Sequence, residues 1–204
     1  PTPLVIYIHG GGFGSGDKSK FYKSKELVKF LEKGISVATI NYRFQNHKPF
    51  GILASLKDSK RCLQFIRYNA NKYNIDKNKI GVYGASAGAG TSLWIGFSDE
   101  MSDPLNSDPV LRESTRVSCV GAIATQATYD FFKWPEILNL PEELLVNLNS
   151  EKRIAKSFGL KYYEGIDLKN YLEIRRELDF LNKLDKKDPP LFVFNNQKGG
   201  IPIN

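Results

Sequence analysis

The sequence predicts an α/β fold: a mostly parallel sheet with helices on both faces. Three observations predict it. Short aliphatic runs alternate with amphipathic stretches along the first half of the chain, the order expected of strand–helix–strand units. The aliphatic runs are rich in Val, Ile and Tyr and short enough for buried strands. Two of them break abruptly into glycine clusters, Gly10 to Gly12 and Gly84 to Gly90, which read as tight loops at strand ends.

Each element follows in order. Leu4 to His9 is the first strand. Phe21 to Lys33 reads as a helix with Leu27, Phe30 and Leu31 on one face, closed by Gly34. Ile35 to Tyr42 is the second strand, and Ile52, Leu56, Leu63, Ile66, Ala70 and Tyr73 mark the apolar stripe of a long helix. Ile80 to Tyr83 is the third strand, running into GASAGAG and a helix from Ala87 to about Phe97. The polar stretch Ser98 to Arg116 reads as a surface excursion, and Val117 to Thr125 as a fourth strand. Residues 131–187 are expected to form a helical cap or lid, with helices over Pro141 to Leu148 and Leu168 to Leu184. Leu191 to Asn195 is a fifth strand. Right-handed crossovers then place the loops at Gly10 to Gly16, Arg43 to Pro49 and Gly84 to Gly90 on one rim, at the carboxyl ends of the strands where ligands collect.

Composition narrows the function classes. The 204 residues make a single domain, 1–204, and 41% hydrophobic with 25% charged residues excludes disorder, rods and collagen-like repeats. No run approaches the roughly 18 apolar residues of a bilayer span, so the chain reads as a soluble piece. The balance of 29 basic and 22 acidic residues gives a net charge of +7. Its densest basic stretch, Lys57 to Lys79, includes Asp58 and Asp76 and follows a helix face. No nucleic-acid motif accompanies it, and a solvated surface is expected rather than a nucleic-acid partner. Cys62 and Cys119 sit in no metal or redox spacing and are expected to be buried structural residues. No metal or other cofactor is expected.

Two motifs carry chemistry. Gly84-Ala85-Ser86-Ala87-Gly88 matches G-x-S-x-G, in which a strand turns sharply into a helix and lifts the serine above the sheet. The motif alone is weak, but the strand before it and the helix after it are the context it requires, and a helix N-terminus offers N–H groups to a developing oxyanion. His9-Gly10-Gly11-Gly12 is compositionally rarer, since the chain has two histidines. Such a loop can aim backbone N–H groups at the charge of a tetrahedral intermediate. A phosphate-binding glycine turn is the alternative, but neither G-x-x-x-x-G-K-[ST] nor G-x-G-x-x-G fits the stretch.

HGGGF at His9 to Phe13, NYR at Asn41 to Arg43, and IDKNKIGVYGASAG from Ile75 to Gly88 together resemble the hormone-sensitive-lipase-like carboxylesterases of the α/β-hydrolase superfamily. The resemblance covers the first half of the chain well. It implies an α/β-hydrolase fold, incomplete at both ends, with Ser86 as nucleophile, an oxyanion hole from the N–H groups of Gly11, Gly12 and Ala87, and His9 shaping the glycine loop rather than taking a proton. It implies hydrolysis of carboxylic esters, with short-chain acyl or acetylated and feruloylated carbohydrate esters as substrates.

The second half departs from that pattern. After the fifth strand the chain reads Asn195-Asn196-Gln197-Lys198-Gly199-Gly200, without a carboxylate, and no histidine follows. Asp185 and Asp188 precede that strand and belong on the wrong rim. Asp130 follows the fourth strand and is the candidate acid; its alternative role is to cap the helix near Phe131. His47 is a weak candidate base beside the reading as a loop residue. The expectation is a fragment whose histidine lies in a further C-terminal segment, with preceding strands also lost. Phe13, Tyr42, Phe44, Phe131, Phe132 and Trp134 are candidates for pocket walls or for plain core. Two other readings stay open: a binding or interaction protein that kept the fold and lost its triad, and a peptidase of the same fold.

Overall fold

The structure, a computed structural model, describes residues 1–46, 51–139, 156–159 and 168–195. Its centre is a five-stranded, wholly parallel sheet of order β2-β1-β3-β4-β5. The strands are β1 (Thr2–Ile8), β2 (Ser36–Ile40), β3 (Ile75–Ala85), β4 (Val120–Ile123) and β5 (Leu191–Phe194). Ile8 pairs with both Ile40 and Gly84, and Ala85 pairs with Ile123. The chain therefore leaves four strands at one level, and His9, Asn41, Ser86 and Ala124 emerge on a common rim, as the crossover rule requires.

One face of the sheet buries Leu4, Ile6, Ile8, Ile80, Val82, Val120 and Ala122. Helices α2 (Gly51–Tyr68) and α3 (Ala87–Phe97) cover it. Every residue of α3 is buried, the mark of a helix enclosed on all sides. On the opposite face lie a 3₁₀ turn, Lys18–Lys23, and α1 (Lys25–Glu32). Phe21 of the turn stacks on Tyr7 at 3.9 Å. The single helix expected over Phe21 to Lys33 is thus two pieces. The Ser24 hydroxyl accepts the Leu27 N–H at 3.1 Å and starts α1 afresh, and Gly34, at φ +70, closes it as expected.

Other boundaries shift for physical reasons. β3 begins at Ile75, five residues early, because Ile75 already pairs with Thr2; the polar Asp76 to Lys79 then bulge out of register, with the Asp76 carboxylate accepting the Asn78 N–H at 3.0 Å, before Ile80 pairs with Leu4. α2 stops at Tyr68, and a turn ending at Asn74, with φ +54, replaces its last expected turn. The helix expected over Leu168 to Leu184 breaks at Asp179 into α5 (Leu168–Leu178) and a 3₁₀ turn, Phe180–Lys183. The short α4 (Trp134–Leu138) follows a 3₁₀ turn at Phe131–Lys133. Pro141 to Leu148, much of the proposed lid, His47 and the segment after Asn195 lie outside the described residues.

The excursion after α3 is tied down by Glu100, whose carboxylate accepts from the Ser114 hydroxyl, both Thr115 donors and the Ser102 N–H. Cys119 corrects an expectation: it is exposed, whereas Cys62 is half-buried and its thiol is pushed up to about 11 by desolvation. Cys119 borders an apolar groove of about 700 Å³ between α1 and β5. Among the described residues nothing covers that stretch of sheet, and all four residues of β5 are exposed. No helix among the described residues is long and apolar enough to cross a membrane.

Candidate active site

The rim is built around Ser86. β3 ends at Ala85 and α3 starts at Ala87, so Ser86 alone makes the turn, at φ +53 and ψ −119. A side chain rarely tolerates that conformation, and it persists only where neighbours hold it. The Ser86 N–H donates to the Ile123 carbonyl at 2.9 Å, and its own carbonyl accepts from the Gly90 N–H at 3.1 Å. The flanking glycines are steric requirements: a methyl group at Gly88 would overlap the Ile8 carbonyl, and one at Gly84 the backbone of Gly88.

The two glycine clusters meet there. A methyl group at Gly10 would stand 2.8 Å from the Ala85 carbonyl oxygen and 3.2 Å from Ser86 Cβ. Gly11, Gly12 and Phe13 all take positive φ, at +120, +58 and +58, and the Gly11 carbonyl accepts from the N–H groups of Gly14 and Ser15 at 3.0 and 3.1 Å. The loop is braced from the NYR side. The Tyr42 hydroxyl donates to the His9 carbonyl at 2.7 Å, and Gln45 donates from its side chain to the Gly12 carbonyl at 2.9 Å and from its backbone to Phe13 at 2.8 Å. Asn41 bridges to Asp17, whose carboxyl is held well below its usual range by the Ser19 and Asn41 donors. His9 is buried, stacks on Tyr42 at 4.4 Å and turns Nδ1 to the Gly10 carbonyl at 2.7 Å. It shapes the loop.

A cavity of about 280 Å³ opens at this junction. Ser86, Ala87 and Gly12 line it, whereas Gly11 is exposed beside it. Of the aromatic candidates, Phe13, Phe131 and Trp134 form its walls. Tyr42 and Phe44 instead pack around His9, and Phe132 packs against Phe158 and Tyr171. No described residue hydrogen-bonds the Ser86 hydroxyl, and the one described histidine is His9.

Asp130 stands on the loop after β4, buried to 2% exposure, but its carboxylate is occupied. It accepts from Arg175 Nε at 3.0 Å and Nη2 at 2.9 Å, and it caps the 3₁₀ turn through the Phe132 N–H at 3.3 Å. Arg175, on α5, lies over the Phe132 ring at 4.6 Å. Lys133 pairs with Asp179 at 2.5 Å in the same clasp. The capping role considered for Asp130 is therefore present, joined to an ion pair.

Sequence reasoning missed Tyr129. Its buried hydroxyl donates to the Ala87 carbonyl at 2.7 Å, and desolvation raises its pKa well above the ordinary value. A methyl group at Gly90 would overlap that hydroxyl, so the glycine beyond G-x-S-x-G was the available signal. Gln45, Gln126, Lys156 and Ser157, also on the cavity wall, carried none.

A family model described as BD-FAE matches residues 1–201. The chain is 26% identical to a juvenile hormone esterase of Heliothis virescens over 98% of its own length and 38% of that protein's. It thus spans well under half of this relative. Among solved structures, an acetyl ester-xyloside bifunctional hydrolase from Caldicellulosiruptor lactoaceticus superposes with TM-score 0.62 and 22% identity, over 97% of this chain and 73% of that one. A truncated carbohydrate esterase from gut microbiota gives TM-score 0.68 and 19% identity, over 95% and 66%. At these identities the two structures show a shared fold, that of α/β-hydrolase esterases.

Proposed function

We propose, from the premise that the chain belongs to the BD-FAE family, an α/β-hydrolase-type esterase family, that it carries the nucleophile and oxyanion hole of a serine carboxyl-ester hydrolase. The observation that supports this most is the convergence of the two glycine clusters on Ser86 at the mouth of a cavity. In this reading Ser86 Oγ attacks the ester carbonyl and the N–H groups of Gly11, Gly12 and Ala87 receive the oxyanion. The alcohol leaves and water releases the acyl group from Ser86, with a histidine as base and then acid. The α3 N-terminus favours the negative charge. HGGGF, NYR and GASAG further support a place near the hormone-sensitive-lipase-like branch.

Asp130 we assign to fastening α5 through Arg175, because both carboxylate oxygens are engaged there, Oδ1 by Nε at 3.1 Å and Oδ2 by Nε and Nη2. A cavity of about 280 Å³ suits a short acyl group or a single aromatic acyl group. The names of the structural neighbours, an acetyl ester-xyloside hydrolase and a carbohydrate esterase, favour acetylated sugars as its source, and the sequence resemblance adds feruloylated ones.

A fluorophosphonate probe followed by intact mass tests the reading. One adduct is expected, on Ser86, and none on Ser86→Ala. An unlabelled Ser86 in the folded, full-length protein would overturn the proposal in favour of a binding protein with the same fold. That second reading draws on the engaged Asp130 and on the absence of an imidazole at Ser86 among the described residues.

A further inference from the structure

Among the described residues that line it, the cavity at Ser86 carries one formal charge, and it is positive: Lys156 is on the wall and no described acidic residue is. Its placement is fixed from below. Two residues on, Phe158 is 2% exposed and packs on Phe131, Phe132 and Tyr171 at ring-centroid distances of 5.7 to 6.3 Å. The backbone of Ser157 to Gly159 lies so close to Gly51 that a methyl group there would overlap it. The stem of Lys156 therefore starts from an anchored segment, while its side chain remains exposed. No ion pair within the described residues engages its ammonium group, in contrast to Lys133 and Lys183 on the same side of the sheet, which are paired with Asp179 and Glu177. Gln45 and Gln126 add neutral polar groups to the same wall. The single cation among the described residues of this partly aromatic wall matches a ligand with an apolar body and a terminal anion.

We propose that Lys156 is a specificity residue that selects esters bearing a carboxylate within a few atoms of the scissile bond, on the acyl or the alcohol side. This rests on the reading of Ser86 as nucleophile. The ammonium attracts the substrate's carboxylate and touches no reacting atom, so it acts on KM more than on kcat.

The test compares matched esters on the whole protein. On the acyl side, para-nitrophenyl monosuccinate is set against para-nitrophenyl butyrate. On the alcohol side, para-acetoxybenzoate is set against its methyl ester. Acylation of Ser86, followed by intact mass, reads the anionic-to-neutral ratio even where turnover is slow. In one of the two pairs that ratio should fall about fivefold in Lys156→Ala, hold in Lys156→Arg and fall further in Lys156→Glu, with the effect shrinking in high salt. The pair that responds identifies the side carrying the carboxylate. Ratios that ignore all three variants, while the neutral esters still acylate Ser86, would overturn the role of Lys156 and leave the nucleophile intact. Failure of every ester to acylate the parent protein would overturn both.

Discussion

The Tyr129 hydroxyl donates a 2.7 Å hydrogen bond to the Ala87 carbonyl, one residue past Ser86. The loop after β4 is thereby pinned to the first turn of α3, and the same tyrosine meets Phe13 of the glycine loop at 5.0 Å, edge to face. One buried side chain thus touches both halves of the site.

Tyr129→Phe should cost about 1 kcal/mol, because the Ala87 carbonyl keeps its bond from the Thr91 hydroxyl. Gly90→Ala should cost about 3 kcal/mol through overlap with the tyrosine ring and hydroxyl. Urea melts of both single variants and the double variant should show a favourable coupling, since removing the hydroxyl relieves part of the clash.

Gly88→Ala should be more damaging than Gly12→Ala. The methyl at Gly88 meets the Ile8 backbone, which cannot yield, whereas at Gly12 nothing lies within 4 Å and only the positive φ resists. We expect a loss of about 3 kcal/mol or more against about 1 kcal/mol, read from thermal melts.

Asp130→Asn should destabilise by about 2 kcal/mol, because it leaves the guanidinium of Arg175 without its charged partner. If Asp130 only fastens α5, the folded variant should label with a fluorophosphonate at the parent rate. A collapse of labelling in a fully folded sample would return Asp130 to the role of triad acid.

Glu100 sets an acid limb. Partial burial pushes its carboxyl up, but the donors from Ser114, Thr115 and Ser102 outweigh this and hold it at about 2, below the ordinary 4.5. A depressed folded pKa means stability that is present above 4.5 and lost as pH falls toward 2. Glu100→Gln should flatten the fall in melting temperature across that window and be less stable above it.

The strands and the glycine clusters were legible because each is a local requirement: aliphatic runs must be buried, and a sharp bend against backbone admits no side chain. Gly10, Gly84 and Gly88 follow from that alone. The occupation of Asp130 was not legible, since its partner Arg175 is 45 residues away and chain order does not show which cation folds back. Nor did helical spacing reveal the break at Asp179, whose neighbour Thr128 draws it out of the helix by a hydrogen bond at 3.2 Å.

Ser86 occupies a bend in which glycine would sit at ease. Replacing it with glycine should raise the melting temperature, by the equivalent of about 1 kcal/mol. The molecule is therefore less durable than its own architecture permits, and that shortfall is the thermodynamic signature of presenting a hydroxyl to the solvent side of the bend.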